Sequence, residues 1–174
     1  MNKNEIKQIE KFIRSNASLD VIINEIEKSS LERSEIILLI HPKMKSDTEL
    51  NEYKAAFLRR FLNAIRNGNI ATVKRLNGIR PFGINEQLRP SLTTAMHTAA
   101  YYGHAEIVRL LMTDAEFVPG MQDSTGDTPA DLAHVGGAPQ ELVDLLTDLE
   151  CRSFLHELEA AEKQTNTPQP KPTI

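Results

Sequence analysis

Apolar residues recur at three- and four-residue steps along most of this chain, which is the pattern of helices that bury one face. Within residues 1–46 the pattern marks three short segments separated by polar breaks. A longer segment starts at Ser46, whose spacing to Glu49 is that of a helix N-cap, and continues through Phe57 to Ile65. The pattern therefore predicts an all-α chain in which the N-terminal helices lead directly into the next region.

One apolar and polar pattern occurs more than once in the second half of the chain. The two clearest copies begin at Thr94 and Thr128, an offset of 34 residues. A weaker copy at residues 64–76 places Gly68 35 residues before Gly103. A repeat of this length predicts stacked helical hairpins, because one hairpin cannot bury its apolar face alone.

These copies resemble the ankyrin repeat, whose signature is a Thr-Pro-Leu-His-x-Ala turn that opens a pair of helices. The resemblance covers roughly residues 55–150. The matching positions of the middle copy are Thr94, His97, Ala99, Ala100, Gly103, His104, Glu106, Val108, Leu110 and Leu111. Those of the last copy are Gly126, Thr128, Pro129, Ala133, Gly137, Glu141, Val143, Leu145 and Leu146.

The resemblance implies an all-α solenoid of stacked helix-turn-helix units with a helical extension at its N-terminus. A proline-containing stretch with little to bury ends the sequence and is predicted to be disordered. The predicted organisation is an N-terminal extension (1–46), three repeats (about 47–88, 89–122 and 123–150), a C-terminal capping helix (151–163) and a tail (164–174).

Several positions depart from the family pattern. The middle copy has Leu92 in place of the turn glycine and Ala95 in place of the proline. The last copy has Asp131 in place of the histidine and a doubled glycine at 136–137. The first copy lacks the turn signature, as expected for an outer repeat that exposes one side to water.

Charge changes this picture because it is unevenly distributed. The net charge is −4, but residues 51–90 hold eight basic and two acidic side chains, a net of +6. Residues 91–163 carry a net of −10. In a solenoid this becomes a gradient along the stack, which indicates either solvated helix faces or a basic end that attracts an acidic partner. A single cysteine, Cys151, fits a reducing compartment, and we expect a cytoplasmic protein.

The resemblance implies that partners contact the hairpin tips and the exposed positions of the first helix of each pair. Tyr101 and Tyr102 stand out, since tyrosine is enriched at binding hot spots; the alternative is that one ring packs against a neighbouring helix. The predicted partner-binding residues are Arg66, Asn67, Arg89, Ser91, Thr93, Thr98, Tyr101, Tyr102, Ser124, Thr125 and Asp127, together with Pro90, Val135 and Gly136.

Catalytic, metal and cofactor sites are not predicted. His97 and His104 lie seven residues apart, without cysteines or paired carboxylates at ligand spacing. The sequence contains neither a glycine-rich phosphate loop nor a Ser-His-Asp constellation. Nucleic acid is not the expected partner, since the basic stretch has no interleaved surface aromatics. The sequence has no apolar run of eighteen residues, so a membrane span is not predicted.

We therefore expect a non-enzymatic module that binds a partner protein through the concave face and hairpin tips of the repeats. Residues 1–50 contain nine Ile, six Lys and four Asn, a bias typical of AT-rich genomes, and Glu150, Glu157, Glu159 and Glu162 resemble a glutamate-rich translocation signal. These features indicate a bacterial effector that acts in a host cytoplasm. The alternative is an N-terminal module that self-associates or delivers an activity, with the repeats as a targeting scaffold. The sequence sets no oligomeric state.

Overall fold

The computed structural model describes residues 3–15, 17–40 and 46–165, with side chains to Ala161. Nine α-helices account for most of these residues, and an isolated bridge between Leu88 and Thr93 is the only strand-like pairing among them. The predicted all-α class is confirmed. The helices are α1 (Lys3–Arg14), α2 (Leu19–Lys28), α3 (Arg33–Ile40), α4 (Asp47–Arg66), α5 (Ile70–Ile79), α6 (Ala95–Tyr101), α7 (Ala105–Leu111), α8 (Pro129–Val135) and α9 (Gln140–Thr165).

The helices from α4 onward form three hairpins that stack side by side. Each first helix contacts its own second helix, in the pairs α4 with α5, α6 with α7 and α8 with α9. The first helices also contact each other in chain order, and α5 contacts α7. Buried aliphatic residues such as Val73, Val108 and Leu142 line the shared seam. The predicted solenoid of helix-turn-helix units is therefore confirmed.

The turn inside each of the three hairpins has one glycine with a positive φ. Gly68, Gly103 and Gly137 have φ values of 64°, 67° and 69°, the left-handed conformation that favours glycine after a helix. A methyl group on Gly68 would lie 2.9 Å from the His104 ring, and one on Gly103 would lie 3.4 Å from Pro139. The first two turns therefore pack closely on the next hairpin, whereas nothing in the described part of the chain lies within 4 Å of the corresponding position on Gly137, in the last hairpin.

The starts of α6 and α8 are fixed by local hydrogen bonds. Thr94 and Thr128 are the N-caps, and each hydroxyl accepts from the backbone N–H three residues later. The side chains of His97 and Asp131 accept in return from the backbone N–H of those threonines. Asp131, which departs from the family pattern, therefore completes the same capping box as the histidine.

Helices α2 and α3 pack on the first repeat, and α1 packs on α2, so that the extension continues the core of the repeats. Ile23 and Ile26 are fully buried, as are Phe57 and Phe61 of α4. Arg75 of α5 donates to backbone carbonyl oxygens at the end of α2 and in the loop after it, those of Ile26, Glu27, Ser29 and Leu31. This guanidinium satisfies carbonyl groups that a helix terminus leaves without partners. The extension is thus held on the repeats by polar and apolar contacts together.

The C-terminal end differs from the prediction. Instead of a separate capping helix at 151–163, α9 is one helix from Gln140 to Thr165, about 39 Å long at 1.5 Å per residue. No glycine or proline interrupts this stretch, so nothing turns the chain back onto the last hairpin. Phe154, Leu155 and Leu158 are 60%, 57% and 46% exposed and do not close the stack. The predicted tail begins within α9, and residues 166–174 lie outside the described residues.

Candidate functional site

Apart from Thr98, the predicted binding residues lie at two opposite ends of the first helix of each hairpin. Arg66, Asn67, Tyr101 and Tyr102, at the ends of α4 and α6, form with His104 the surface that we call the turn surface. The other end, which we call the tip surface, precedes α6 and α8. Its residues are Arg89, Pro90, Ser91, Thr93, Ser124, Thr125 and Asp127. A helix of seven residues separates the two ends, a distance of about 10 Å.

The turn surface carries a cluster of half-exposed rings. Tyr101 and Tyr102 are 42% and 43% exposed, so neither ring is buried against a neighbouring helix. Their centroids are 5.1 Å apart, with an edge-to-face angle of 79°. The Tyr102 ring stacks on His104 at 6.2 Å, and the Arg66 guanidinium lies 5.8 Å from its centroid. Edge-to-face and cation–π contacts of this kind favour one arrangement of the rings before any partner binds.

Backbone contacts fix the frame of the turn surface. His104 Nε2 lies 3.1 Å from the carbonyl oxygen of Arg66, which joins the first hairpin to the second. At the third hairpin, a methyl group on Gly136 would overlap the carbonyl oxygen of Tyr101. Gly136 has a helical φ of −72°, so close approach, and not backbone conformation, requires glycine here. The doubled glycine was visible in the sequence, but this reason for it was not.

Polar groups of the tip surface are largely bonded to each other. The Ser124 N–H donates to the Ser91 carbonyl oxygen at 2.9 Å, and the Thr93 hydroxyl donates to the Ser91 hydroxyl. The Thr125 hydroxyl lies 2.7 Å from Asp123 and 2.6 Å from Asp127. These bonds shape the turns before α6 and α8. Fewer of the polar atoms at this end therefore remain for a partner.

Thr98 does not fit the prediction that it is exposed. It is 8% exposed, and its hydroxyl donates to the Thr94 carbonyl oxygen. The reason is that α6 contacts α4, α7 and α8, which together bury every residue from Ala95 to Ala100. In this central helix only the last residue reaches the surface.

His97 joins two repeats from inside the protein. Its Nδ1 accepts from the Thr94 N–H at 3.2 Å, so the proton lies on Nε2, which donates to the Asp127 carbonyl oxygen at 3.1 Å. Burial lowers the pKa of His97, with backbone and carboxylate groups of the next repeat acting in the opposite direction. The neutral ring is the form that this network requires, because a second ring proton would face the Thr94 N–H. Its role is structural.

Part of the basic stretch at 51–90 is used inside the protein. Arg60 donates to Glu27 at 2.7 Å and to Asn24 at 3.1 Å. Arg80, which is 3% exposed, pairs with Asp114 of the next repeat and donates to the Phe82 carbonyl oxygen. With Arg75, three of the eight basic side chains are therefore internal. The surface charge of this end is smaller than the sequence count suggests.

Comparison with known protein families finds a match in the middle of the chain. Residues 85–133 match the family model for ankyrin repeats that occur in many copies. The matched range covers the tip surface, all of α6 and α7, and most of α8, and it confirms the resemblance. Curated proteins yield no match to this chain. None of the described helices combines the length and the apolar character needed to cross a membrane.

Proposed function

We propose that this protein binds a partner protein through the first helix of each hairpin, that is, through α4, α6 and α8. The premise is that residues 85–133 are ankyrin repeats. Such repeats generally mediate protein–protein interactions and are typically not enzymes. The turn surface is the centre of that contact, and the hairpin tips lie at its edge. The half-exposed cluster of Arg66, Tyr101, Tyr102 and His104 is the observation that carries the proposal.

The arrangement of the rings supports binding in two ways. A tyrosine that already rests on a neighbouring side chain loses little conformational entropy when a partner covers it. Its ring offers apolar contact area, and its hydroxyl can donate to a carbonyl or carboxylate oxygen. Arg66 adds a positive charge at the same place, so a partner with an acidic region fits this surface.

Replacement of both rings tests the proposal. We expect Tyr101→Ala with Tyr102→Ala to lose capture of the partner from lysate, with little change in melting temperature, because both side chains are already half exposed. Val21→Ala with Ile37→Ala is the matched control, since it removes two apolar side chains of similar exposure elsewhere on the protein. Capture that survives the double tyrosine change, or is lost equally in the control, would contradict the proposal.

We propose a bacterial effector, translocated into a host cytoplasm, as the setting for this binding. The composition of residues 1–50 and the exposed Glu157 and Glu159 support it. Glu150 has another use, because its carboxylate accepts from the Ala130 N–H at 3.0 Å at the start of α8. A translocation reporter should therefore be compared with and without residues 153–174, which leaves Glu150 in place. Equal export of both forms would remove the argument.

The alternative function for residues 1–46 has weaker support. Ile22, Ile23 and Ile26 of α2 are buried in the shared core, which leaves this helix little apolar surface for another molecule. On α3, however, Leu38 is 75% exposed and is the most accessible apolar side chain among the described residues of the extension. Light scattering of the full chain with Leu38→Asp tests self-association through this extension, which the variant should abolish if the alternative holds.

A further inference from the structure

A groove of about 420 Å³ lies beside α4, where the loop at 86–89 passes it. We call it the basic groove. Its apolar lining comes from Ala55, Leu58 and Leu88, and its positive charge from Lys54, Arg59 and Arg89. Glu86 is the one acidic side chain among the residues that line it. The groove therefore combines an apolar lining with a net positive charge.

These three cations differ from the internal arginines of the same stretch. Arg60, Arg75 and Arg80 each bind a carboxylate or backbone carbonyl groups. Within the described part of the chain, no hydrogen bond or ion pair engages the side chains of Lys54, Arg59 and Arg89. Arg59 and Arg89 are also exposed to solvent. Their charge is available to another molecule.

The far end of the protein carries a surface of opposite charge. Phe154, Leu155 and Leu158 are about half or more exposed on α9 and are spaced so that they lie on one side of the helix. Glu157 and Glu159 are exposed on the same two turns, and Arg152 is paired with Asp148 within the helix. We call residues 154–159 the acidic helix end. It combines apolar side chains with a net negative charge.

We propose that the acidic helix end of one copy docks in the basic groove of a second copy. The two surfaces match in charge sign, and each offers apolar groups that the other can cover. A chain cannot satisfy its own groove, because α6 and α8 stand between α4 and α9 in the stack. The proposal goes beyond the partner binding proposed above, since it leaves the turn surface unused.

The proposed contact predicts a particular kind of oligomer. It joins two different surfaces, so it is head-to-tail, and every oligomer that does not close into a ring has one groove and one helix end open. Average mass should therefore rise continuously with concentration instead of stopping at a dimer. An apolar segment this short buries little area, so the association should be weak and should weaken several-fold as salt screens the charges.

Two variants, each removing one surface, test the proposal. The groove variant carries Arg59→Glu and Arg89→Glu, and the helix variant carries Phe154→Ser and Leu155→Ser. In sedimentation velocity from micromolar to millimolar concentration, the unchanged protein should self-associate and each variant should remain a monomer. An equal mixture of the two variants should form a one-to-one dimer and nothing larger, because one groove and one helix end remain intact between them.

The other outcomes would overturn the proposal. They are a monomeric unchanged protein over the whole range, a groove variant that still self-associates through paired α9 helices, and a variant mixture that forms no complex. Circular dichroism and melting temperature should show that each variant is folded, because the substituted positions are exposed. The double tyrosine variant should self-associate normally, which separates this contact from the proposed partner site.

Discussion

The turn surface and the tip surface lie at opposite ends of the first helix of each hairpin, and they differ in how many side-chain groups remain free for a partner. At the turn surface, Tyr101 and Tyr102 contact other side chains but remain over two-fifths exposed. At the tip surface, the Thr93 hydroxyl donates to the Ser91 hydroxyl, which donates to a backbone carbonyl oxygen, and the Thr125 hydroxyl is bonded to the Asp123 and Asp127 carboxylates. The turn surface is therefore better suited to bind a partner, because its contacts orient the side chains without covering them. Four changes, from the largest expected effect to the smallest, test this comparison.

Gly136→Ala should be the most damaging single change at the turn end. Its methyl group would overlap the Tyr101 carbonyl oxygen, and backbone cannot move aside as a side chain can. We expect a loss of about 3 kcal/mol in the free energy of unfolding, measured by urea denaturation. Gly78→Ala is the matched control: nothing lies within 4 Å of the added methyl group, and its helix should gain stability. Equal stability of Gly136→Ala and the unchanged protein would refute the close contact.

At the tip end, His97 predicts a dependence of stability on pH. Its pKa is lowered in the folded state, so the unfolded state binds more protons as the medium becomes acidic. Stability should be fully present above the unfolded pKa of about 6.5 and should fall below it, by at most about 1.4 kcal/mol per pH unit. His97→Gln should be less stable at neutral pH and show a shallower slope between pH 7 and pH 5.5 in urea denaturation. An unchanged slope would assign the dependence to other groups.

Leu92 and Gly126 occupy equivalent positions in neighbouring tips and offer a paired test. Their φ values are 55° and 89°, a conformation that costs an ordinary residue about 1 kcal/mol. Leu92→Gly should therefore raise the free energy of unfolding. The gain is reduced by the packing that the half-buried leucine side chain contributes. Gly126→Ala should lower it by about 1 kcal/mol, since nothing lies near the added methyl group. Changes of the same sign in both would contradict the shared conformation.

Replacement of Tyr53 should have the smallest effect on stability. Its buried hydroxyl is compared with the hydrogen-bonded hydroxyls of the tip surface. Tyr53 is 1% exposed, and its hydroxyl has no hydrogen-bond partner among the described residues. Burial strongly raises the pKa of this phenol. Tyr53→Phe should change the free energy of unfolding by less than about 0.5 kcal/mol, or stabilise slightly, since it removes an unsatisfied polar group. A loss above about 1 kcal/mol in urea denaturation would show that the hydroxyl has a partner.

Local features of the fold were predictable because they depend on residues a few positions apart. Thr94 and Thr128 cap helices through bonds that reach three residues, and Gly68, Gly103 and Gly137 adopt the conformation that their turns require. The repeat spacing also predicts that the hairpins stack in chain order. Asp131 shows where prediction from the family pattern fails. It replaces the family's histidine, which suggests that a capping interaction is lost, but the structure shows that Asp131 completes the capping box.

The candidate site was predictable only in part. The sequence indicates Tyr101 and Tyr102 by composition and position, and the structure places both at the surface. It also places Arg66 beside the tyrosine pair, where the structure has it next to the Tyr102 ring. It does not indicate that Thr98 is buried or that His104 stacks on Tyr102. These outcomes depend on which helices flank α6, and nothing within one repeat specifies that.

The sequence alone determined the repeat, its register and its caps, because a period and a three-residue hydrogen bond are local properties of a chain. Only the tertiary structure decided which charges are used internally, as with Arg75 and Arg80, and that the second half of α9 extends past the last hairpin. Those results follow from contacts between residues far apart in the chain. Such contacts depend on the positions of whole helices relative to each other, which periodicity does not fix.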